Sequence, residues 1–194
     1  MNPVLFRGKK VMLGVLERTD IPDIASHFQN PGMTLYMYGY GKTFSLEEEY
    51  QWYDSTISNP DNVTFGILTL EGTVMGSCSL FDINHRMGTA TFGICIWKPD
   101  FWSKGYGTEA TRLMVEYGMF HLNLYNIDLT VYSFNPRGIQ AYLKAGFREV
   151  GRRRGAALLG HERFDRVWME ITRDEVDLSG MRAMVPLLES GPRD

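Results

Sequence analysis

The hydrophobic pattern of this chain changes its period near Pro99, and this change restricts the fold more than any other feature of the sequence. Before it, three strand-like runs follow one another at short spacing, at residues 63–70, 74–81 and 90–97. Runs of this length joined by short turns predict an antiparallel meander. Residues 11–16 alternate in the same way and predict an earlier strand.

After the change of period, the apolar residues recur at helical spacing, and residues 127–131 then alternate as a strand. A second helix is predicted from Pro136, which suits a first-turn position, to Ala145. This half of the chain is therefore expected to form a β–α–β unit. Residues 147–150 and 164–172 are expected to close the fold as a last pair of strands.

Two amphipathic helices are predicted between the first strand and the meander. The first is expected to end at Pro31-Gly32, and the second to begin at the capping-box pair Ser45 and Glu48. The segment between them is predicted to be a loop rich in tyrosine, with Tyr36, Tyr38 and Tyr40.

Length and composition indicate one folded domain. The 194 residues are 44% hydrophobic and 22% charged, which excludes intrinsic disorder and a fibrous repeat. The predicted class is α/β (α+β), a mixed, mostly antiparallel sheet with helices on both faces. The expected domain covers residues 1–173, and residues 174–194 form a tail to which no role can be assigned.

Several classes of partner are excluded on composition. The net charge of −3 argues against a general nucleic-acid binder. No stretch is apolar enough for a membrane span or a signal peptide, so a cytoplasmic protein without a membrane partner is expected. Cys78 and Cys95 are too few for a disulfide framework and lack zinc-site spacing, so no metal is expected.

Charge is distributed unevenly along the chain. Residues 137–173 hold 9 basic and 4 acidic residues, whereas residues 14–100 hold 4 basic and 11 acidic residues. Solvated surfaces would explain this difference, and so would an anionic ligand held by the C-terminal half.

Two glycines, Gly105 and Gly107, stand immediately before the helix that follows the meander. The start of a helix offers unpaired backbone N–H groups and partial positive charge, and glycine lets a ligand approach the backbone closely. The segment therefore predicts a pyrophosphate site. With Ala110 the glycines also match a G-x-G-x-x-A dinucleotide turn, but that turn should follow an early strand of a parallel sheet, and here it follows the meander.

Two motifs in the second half, with a strand between them, resemble those of the GNAT superfamily of N-acetyltransferases. The first spans residues 97–120; the second comprises Asn135-Pro136-Arg137 and the run from Tyr142 to Phe147. Within the superfamily, the chain most resembles the branch of ribosomal-protein alanine and spermidine acetyltransferases. The resemblance covers residues 6–172 and implies the GNAT fold, acetyl-CoA as co-substrate and an amine as acceptor.

The resemblance also implies where acetyl-CoA binds. The glycine turn would hold its pyrophosphate, and the preceding strand would pair with its pantetheine arm, while Asn135 would reach the pantetheine region. The turn begins with Trp102 where the general family pattern has Gln or Arg, which puts the contact of that side chain in doubt. The implied residues of the strand and the turn are Ile94, Cys95, Ile96, Trp102, Ser103, Lys104, Gly105, Tyr106, Gly107 and Thr108.

By the same resemblance, Tyr142 would protonate the departing thiolate, although a tyrosine on an amphipathic helix also serves in packing. The general base is not identified. The strand that carries a glutamate in many relatives has no carboxylate here, so either water relays the proton or an acid from elsewhere takes it. The candidate acids are Glu47, Glu48, Glu49 and Asp82. A covalent acetyl-cysteine at Cys95 is disfavoured because no histidine is near it in sequence.

The preferred acceptor is an α-amine at a protein or peptide N-terminus, because an α-amine is more easily neutral than a lysine-type amine and so needs less help from a base. The alternatives are a polyamine, an aminoglycoside or another small amine, and a non-catalytic acyl-CoA-binding module. The sequence leaves a homodimer open.

Overall fold

The computed structural model describes residues 2–180. Eight strands form one sheet in the order β1-β2-β3-β4-β5-β6-β8-β7, in which only the β5 and β6 neighbours are parallel. The strands are β1 (Val4–Arg7), β2 (Val11–Gly14), β3 (Val63–Thr69), β4 (Val74–Asn84), β5 (Thr89–Ile96), β6 (Asn126–Tyr132), β7 (Arg148–Leu159) and β8 (Glu162–Thr172). The helices are α1 (Ile21–Phe28), α2 (Pro31–Tyr38), α3 (Leu46–Ser58), α4 (Tyr106–His121) and α5 (Pro136–Ala145).

Helices cover both faces of the sheet. Side chains alternate along the strands, so each face carries apolar residues that must be buried. On one face, Ile94 and Ile96 of β5 pack in the main core with α4 and α5. On the other face, Cys95 packs in a second cluster with residues of α1, α2 and α3. The mixed, mostly antiparallel sheet flanked by helices is therefore confirmed, and so is the β–α–β unit, formed by β5, α4 and β6.

The tyrosine-rich segment was predicted wrongly as a loop, because it contains α2. Its start is stabilised by Asn30, whose side chain accepts a hydrogen bond from Gly32 N–H at 2.9 Å, with Pro31 in the first turn. Gly39, in the left-handed conformation at φ 79°, ends the helix. A proline followed by glycine thus begins a helix here instead of ending one.

The two edges of the sheet also differ from prediction. β1 pairs with β2 but is too short and too exposed to show a clear alternation. β7 extends to Leu159, well beyond the predicted residue 150, through a run of arginines and Gly155 at φ 60°. As an edge strand it is largely exposed, so its sequence lacks the period of a buried strand.

In the described part of the chain, no helix has both the length and the apolar character needed to span a bilayer. Of the expected tail, residues 181–194 lie outside the described residues; Arg173–Glu175 form a short 3₁₀ turn before them.

Candidate active site

The parallel strands β5 and β6 pair only at their beginnings and then diverge. Thr89 to Thr91 lie opposite Asn126 to Asp128, after which no further register pairs join the two strands. The second half of β5 keeps its partner β4 on one edge, and its other edge is open among the described residues. An extended, amide-bearing ligand can pair with such an edge as a strand would. The predicted residues Ile94, Cys95 and Ile96 lie on it.

The glycine turn lies beyond the open end of β5 and leads into α4. Ser103 and Gly105 adopt the left-handed conformation, with φ of 59° and 87°. Within residues 2–180, none of the N–H groups from Ser103 to Thr108 donates a hydrogen bond to another protein group. Free donors at the start of a 16-residue helix fit a pyrophosphate in both charge and geometry.

The turn is held from behind by the hairpin between β1 and β2. The Lys10 ammonium donates to the carbonyl oxygen of Lys104 at 3.0 Å. Because the C=O and N–H of one trans peptide point in opposite directions, this bond leaves the Gly105 N–H on the far side of the peptide. No local pattern indicates Lys10, whose role depends on a contact across 94 residues.

Glu109, in the first turn of α4, positions that hairpin. Its carboxylate accepts hydrogen bonds from the backbone N–H groups of Lys9, Lys10 and Val11, at 2.9, 2.6 and 2.9 Å. Hydrogen bonds to a charged acceptor are stronger than neutral ones. Glu109 therefore joins the N-terminal hairpin to the helix that begins at the turn.

We expect Glu109→Gln to lower the free energy of unfolding by about 2 kcal/mol, since the amide loses the charge that strengthens these bonds and offers only one acceptor oxygen. Urea denaturation measures the change. Glu71→Gln, in an exposed turn, is the control and should alter stability by less than about 0.5 kcal/mol. Equal stabilities for Glu109→Gln and the parent chain would show that the hairpin does not depend on this carboxylate.

Trp102, at the start of the turn, is fixed by contacts with three other segments. Its indole N–H donates to the carbonyl oxygen of Ile96 at 2.7 Å, and the Arg137 guanidinium lies over its ring at 3.8 Å from the centroid. Tyr36 of α2 meets the Trp102 ring edge-on at 6.5 Å and also contacts Phe134, beyond the end of β6, at 6.3 Å. Helix α2 therefore crosses the open end of the split, which is the gap between β5 and β6 beyond Thr91 and Asp128.

The predicted residues on α5 lie on the other side of the split. Tyr142 packs against Phe92 of β5 and Phe147, with ring centroids 6.3 and 6.1 Å apart. Its hydroxyl makes no hydrogen bond to the described residues. Burial, and then the neighbouring Cys95, raise the pKa of the Tyr142 phenol above its ordinary value, so it stays protonated at neutral pH. The group can donate a proton or a hydrogen bond but cannot act as a base.

Asn135 caps α5. Its side-chain oxygen accepts a hydrogen bond from Gly138 N–H at 2.9 Å, and its amide nitrogen donates no hydrogen bond to the described residues. Its predicted contact with the pantetheine arm stays a prediction.

Cys95 is unsuited to nucleophilic catalysis. Burial, and then the charge of Glu49, raise the pKa of its thiol to about 12. Only the thiolate is a competent nucleophile, so the acetyl-cysteine route remains disfavoured. Within residues 2–180, no three His, Cys, Asp or Glu side chains group as a metal site.

The four candidate acids have different surroundings. Glu47 is exposed, and Glu48 is committed to the Ser45 capping box. Asp82 is exposed, at a bulge where its φ is 53°. Glu49 is only 4% exposed, and burial, followed by the adjacent Glu48 carboxylate and opposed by the Lys42 ammonium, raises its pKa to about 7.

Known proteins share both the sequence and the fold. The family model of the acetyltransferase (GNAT) domain matches residues 10–148. The chain is 31% identical over 148 residues to spermidine N(1)-acetyltransferase of Escherichia coli K12, which covers 73% of this chain and 74% of that protein.

Two solved structures show the same fold. Spermidine N-acetyltransferase from Vibrio cholerae, in complex with CoA and spermine, matches 87% of this chain and 98% of its own, with a TM-score of 0.78 and 24% identity. A GNAT-family acetyltransferase from Bacillus anthracis covers 87% of this chain and 98% of its own, with a TM-score of 0.75 and 19% identity.

The family match spans more than half of the chain, and the split strands and free donors of the turn fit the co-substrate of that family. The chain therefore belongs to the GNAT family of acetyltransferases, enzymes whose acetyl donor is acetyl-CoA.

Proposed function

We propose that this enzyme transfers the acetyl group of acetyl-CoA to a primary amine of a small polyamine such as spermidine. The 31% identity to a spermidine N(1)-acetyltransferase, over 73% of the chain, carries the proposal. The earlier preference for an N-terminal α-amine rested on the lack of a carboxylate on the strand before the turn. The comparisons favour the polyamine alternative.

Aromatic rings beside the split support a cationic acceptor. Tyr132 stacks on Phe134 with centroids 5.0 Å apart, and Phe164 meets Phe134 edge-on at 5.2 Å. Tyr36 closes this group from α2. Aromatic ring faces attract alkylammonium groups where no other ring or guanidinium covers them, and the rings also offer apolar surface to the methylene segments of a polyamine.

Two arginines restrict the direction in which a polyamine can extend. Arg166 of β8 lies over the Tyr132 ring at 5.2 Å, and Arg153 of β7 is its register partner. Like charges repel, so the distal ammonium groups should lie away from this pair and toward α2 and α3. Glu49 of α3 is the buried carboxylate on that side.

A panel of acceptors tests the proposal. The purified chain is incubated with acetyl-CoA and spermidine, an alanine-starting peptide or an aminoglycoside, and free thiol release gives kcat/KM for each. We expect spermidine to exceed the other amines by at least about tenfold, a difference of about 1.4 kcal/mol.

Higher kcat/KM with the peptide or the aminoglycoside would overturn the polyamine assignment without touching acetyl transfer. A preference for an amine that also carries a carboxylate would assign Arg153 and Arg166 to acceptor recognition. Thiol release that no amine accelerates would favour the non-catalytic acyl-CoA-binding module.

A further inference from the structure

Tyr142 and the side chain of Cys95 lie on opposite faces of the sheet at the split. Tyr142 packs in the core on the α4 and α5 side. Cys95, in the middle of the open edge of β5, faces the cluster on the α1 and α3 side. The amine attacks one face of the planar thioester carbonyl, so it can approach from the α3 side while Tyr142 meets the sulfur from the α5 side.

Glu49 is the buried residue of α3 on that side, and no side chain of residues 2–180 pairs with it. Its carboxylate accepts no hydrogen bond and forms no ion pair with residues 2–180, although only 4% of the residue is exposed. An unpaired carboxylate in such a place is costly to the fold. Its neighbours Glu47 and Glu48 avoid this cost by exposure and by capping.

Glu49 is on α3, whose residues Tyr50, Trp52 and Tyr53 pack in one cluster with Cys95 of the open edge. The charge of Glu49, after burial, is the next largest influence raising the pKa of the Cys95 thiol and of the Tyr38 phenol. The charged groups nearest to Glu49 on its own side are Glu48 and the Lys42 ammonium, which forms a 3.9 Å ion pair with Glu48. Lys42 therefore pairs with Glu48, and its opposing charge does not bring the pKa of Glu49 back to the ordinary value.

We propose that Glu49 is the general base of the reaction and replaces the glutamate that the preceding strand lacks. The acceptor ammonium gives one proton to the Glu49 carboxylate. The nitrogen lone pair then forms a bond to the thioester carbonyl carbon, and the C–S bond breaks, with its electron pair remaining on sulfur. The hydroxyl of Tyr142 gives its proton to that sulfur, and the second proton of the nitrogen restores the hydroxyl. Glu49 then releases the first proton to solvent, so the products are an amide, a thiol and one proton.

A base in this place removes the difficulty that a polyamine presents. At pH 7 an amine with a pKa near 10.4 is only about 0.04% neutral, so a site without a base would leave it almost unreactive. A carboxyl whose pKa is close to the working pH is an effective proton acceptor, whereas an ordinary glutamate is a weaker one.

The test is Glu49→Gln, which keeps the shape of the side chain. We expect kcat/KM for the best amine of the panel to fall on the order of 10²-fold, with an unchanged Kd for acetyl-CoA by calorimetry. In the parent enzyme kcat/KM should rise through about pH 7 as Glu49 loses its proton. This rising limb of the pH profile should be absent from the variant. Glu47→Gln, exposed on the same helix, is the control and should retain both the rate and the limb.

Stability separates a catalytic role from a structural one. The pKa of Glu49 is higher in the fold than in the unfolded chain, so its ionisation destabilises the fold as pH rises from 4.5 toward 7. By urea denaturation, Glu49→Gln should therefore be at least as stable as the parent at about pH 8. At about pH 5 the difference in free energy of unfolding should shift in favour of the parent.

A variant with the parent rate and pH profile would overturn the proposal, as would one that loses stability and acetyl-CoA affinity together. The proposed base depends on the proposed function in one respect only, namely that the acceptor is an amine. The experiment therefore uses whichever amine is turned over. Failure of spermidine as a substrate and failure of Glu49 as the base are then separate results.

Discussion

Tyr142→Phe should lower kcat on the order of 10²-fold, the scale of losing a general acid, and leave the affinity for acetyl-CoA unchanged. The phenol hydroxyl has no partner in the described chain, and burial keeps it protonated by raising its pKa. Such a group can donate toward the sulfur as the C–S bond breaks, which is the role that the resemblance implies. The ring contacts with Phe92 and Phe147 remain in the variant, so packing is preserved.

Steady-state thiol release and calorimetric titration with CoA measure the two quantities. Tyr117→Phe is a matched control, since Tyr117 packs in the same core, against Phe6 and Phe65, but on α4. Its kcat should stay within about a factor of two of the parent value. If Tyr142→Phe is equally mild, Tyr142 is a packing residue and the donor to sulfur lies elsewhere.

Gly107→Glu should weaken acetyl-CoA binding at least tenfold, or about 1.4 kcal/mol. Gly107 has an ordinary backbone conformation, and the nearest atom that a Cβ would meet is Ile96 Cδ1 at 3.6 Å, so the substitution leaves the fold intact. The carboxylate would add a charge of the same sign as the phosphates beside the free N–H groups of the turn.

Gly107→Ala separates charge from bulk, because its methyl group makes only the contact with Ile96. Calorimetry should give a Kd within about threefold of the parent for Gly107→Ala, a difference of less than 1 kcal/mol. Unchanged affinity in a folded Gly107→Glu variant would contradict the placement of the pyrophosphate at this turn.

The order of strands and helices in the second half was predictable because it depends on patterns among neighbouring residues. Side chains that alternate produce strands, a change to a period of 3.6 produces a helix, and Pro136 and Gly146 mark the two ends of α5. The glycine turn could be located for the same reason, since the donors that it offers belong to its own backbone. Helix α2 was missed because Pro31 and Gly32 favour a break unless Asn30 caps the segment.

The contacts around the turn could not be predicted in this way. Lys10 and Glu109 meet because the β1–β2 hairpin packs against the start of α4, and neither residue has a local pattern that indicates the other. The two motifs of the second half were sufficient to identify the family, and therefore the acetyl donor, without any such contact.

The proposed general base, Glu49, depends on both local sequence and long-range packing. The sequence determined that three successive glutamates, Glu47, Glu48 and Glu49, occupy the first turn of one helix. Successive helical residues are rotated by about 100°, so they face three different directions. Which of them is buried depends on how α3 packs in one cluster with α1, α2 and Cys95 of β5, elements that are far apart in sequence. That packing leaves Glu49 only 4% exposed and without a partner among residues 2–180.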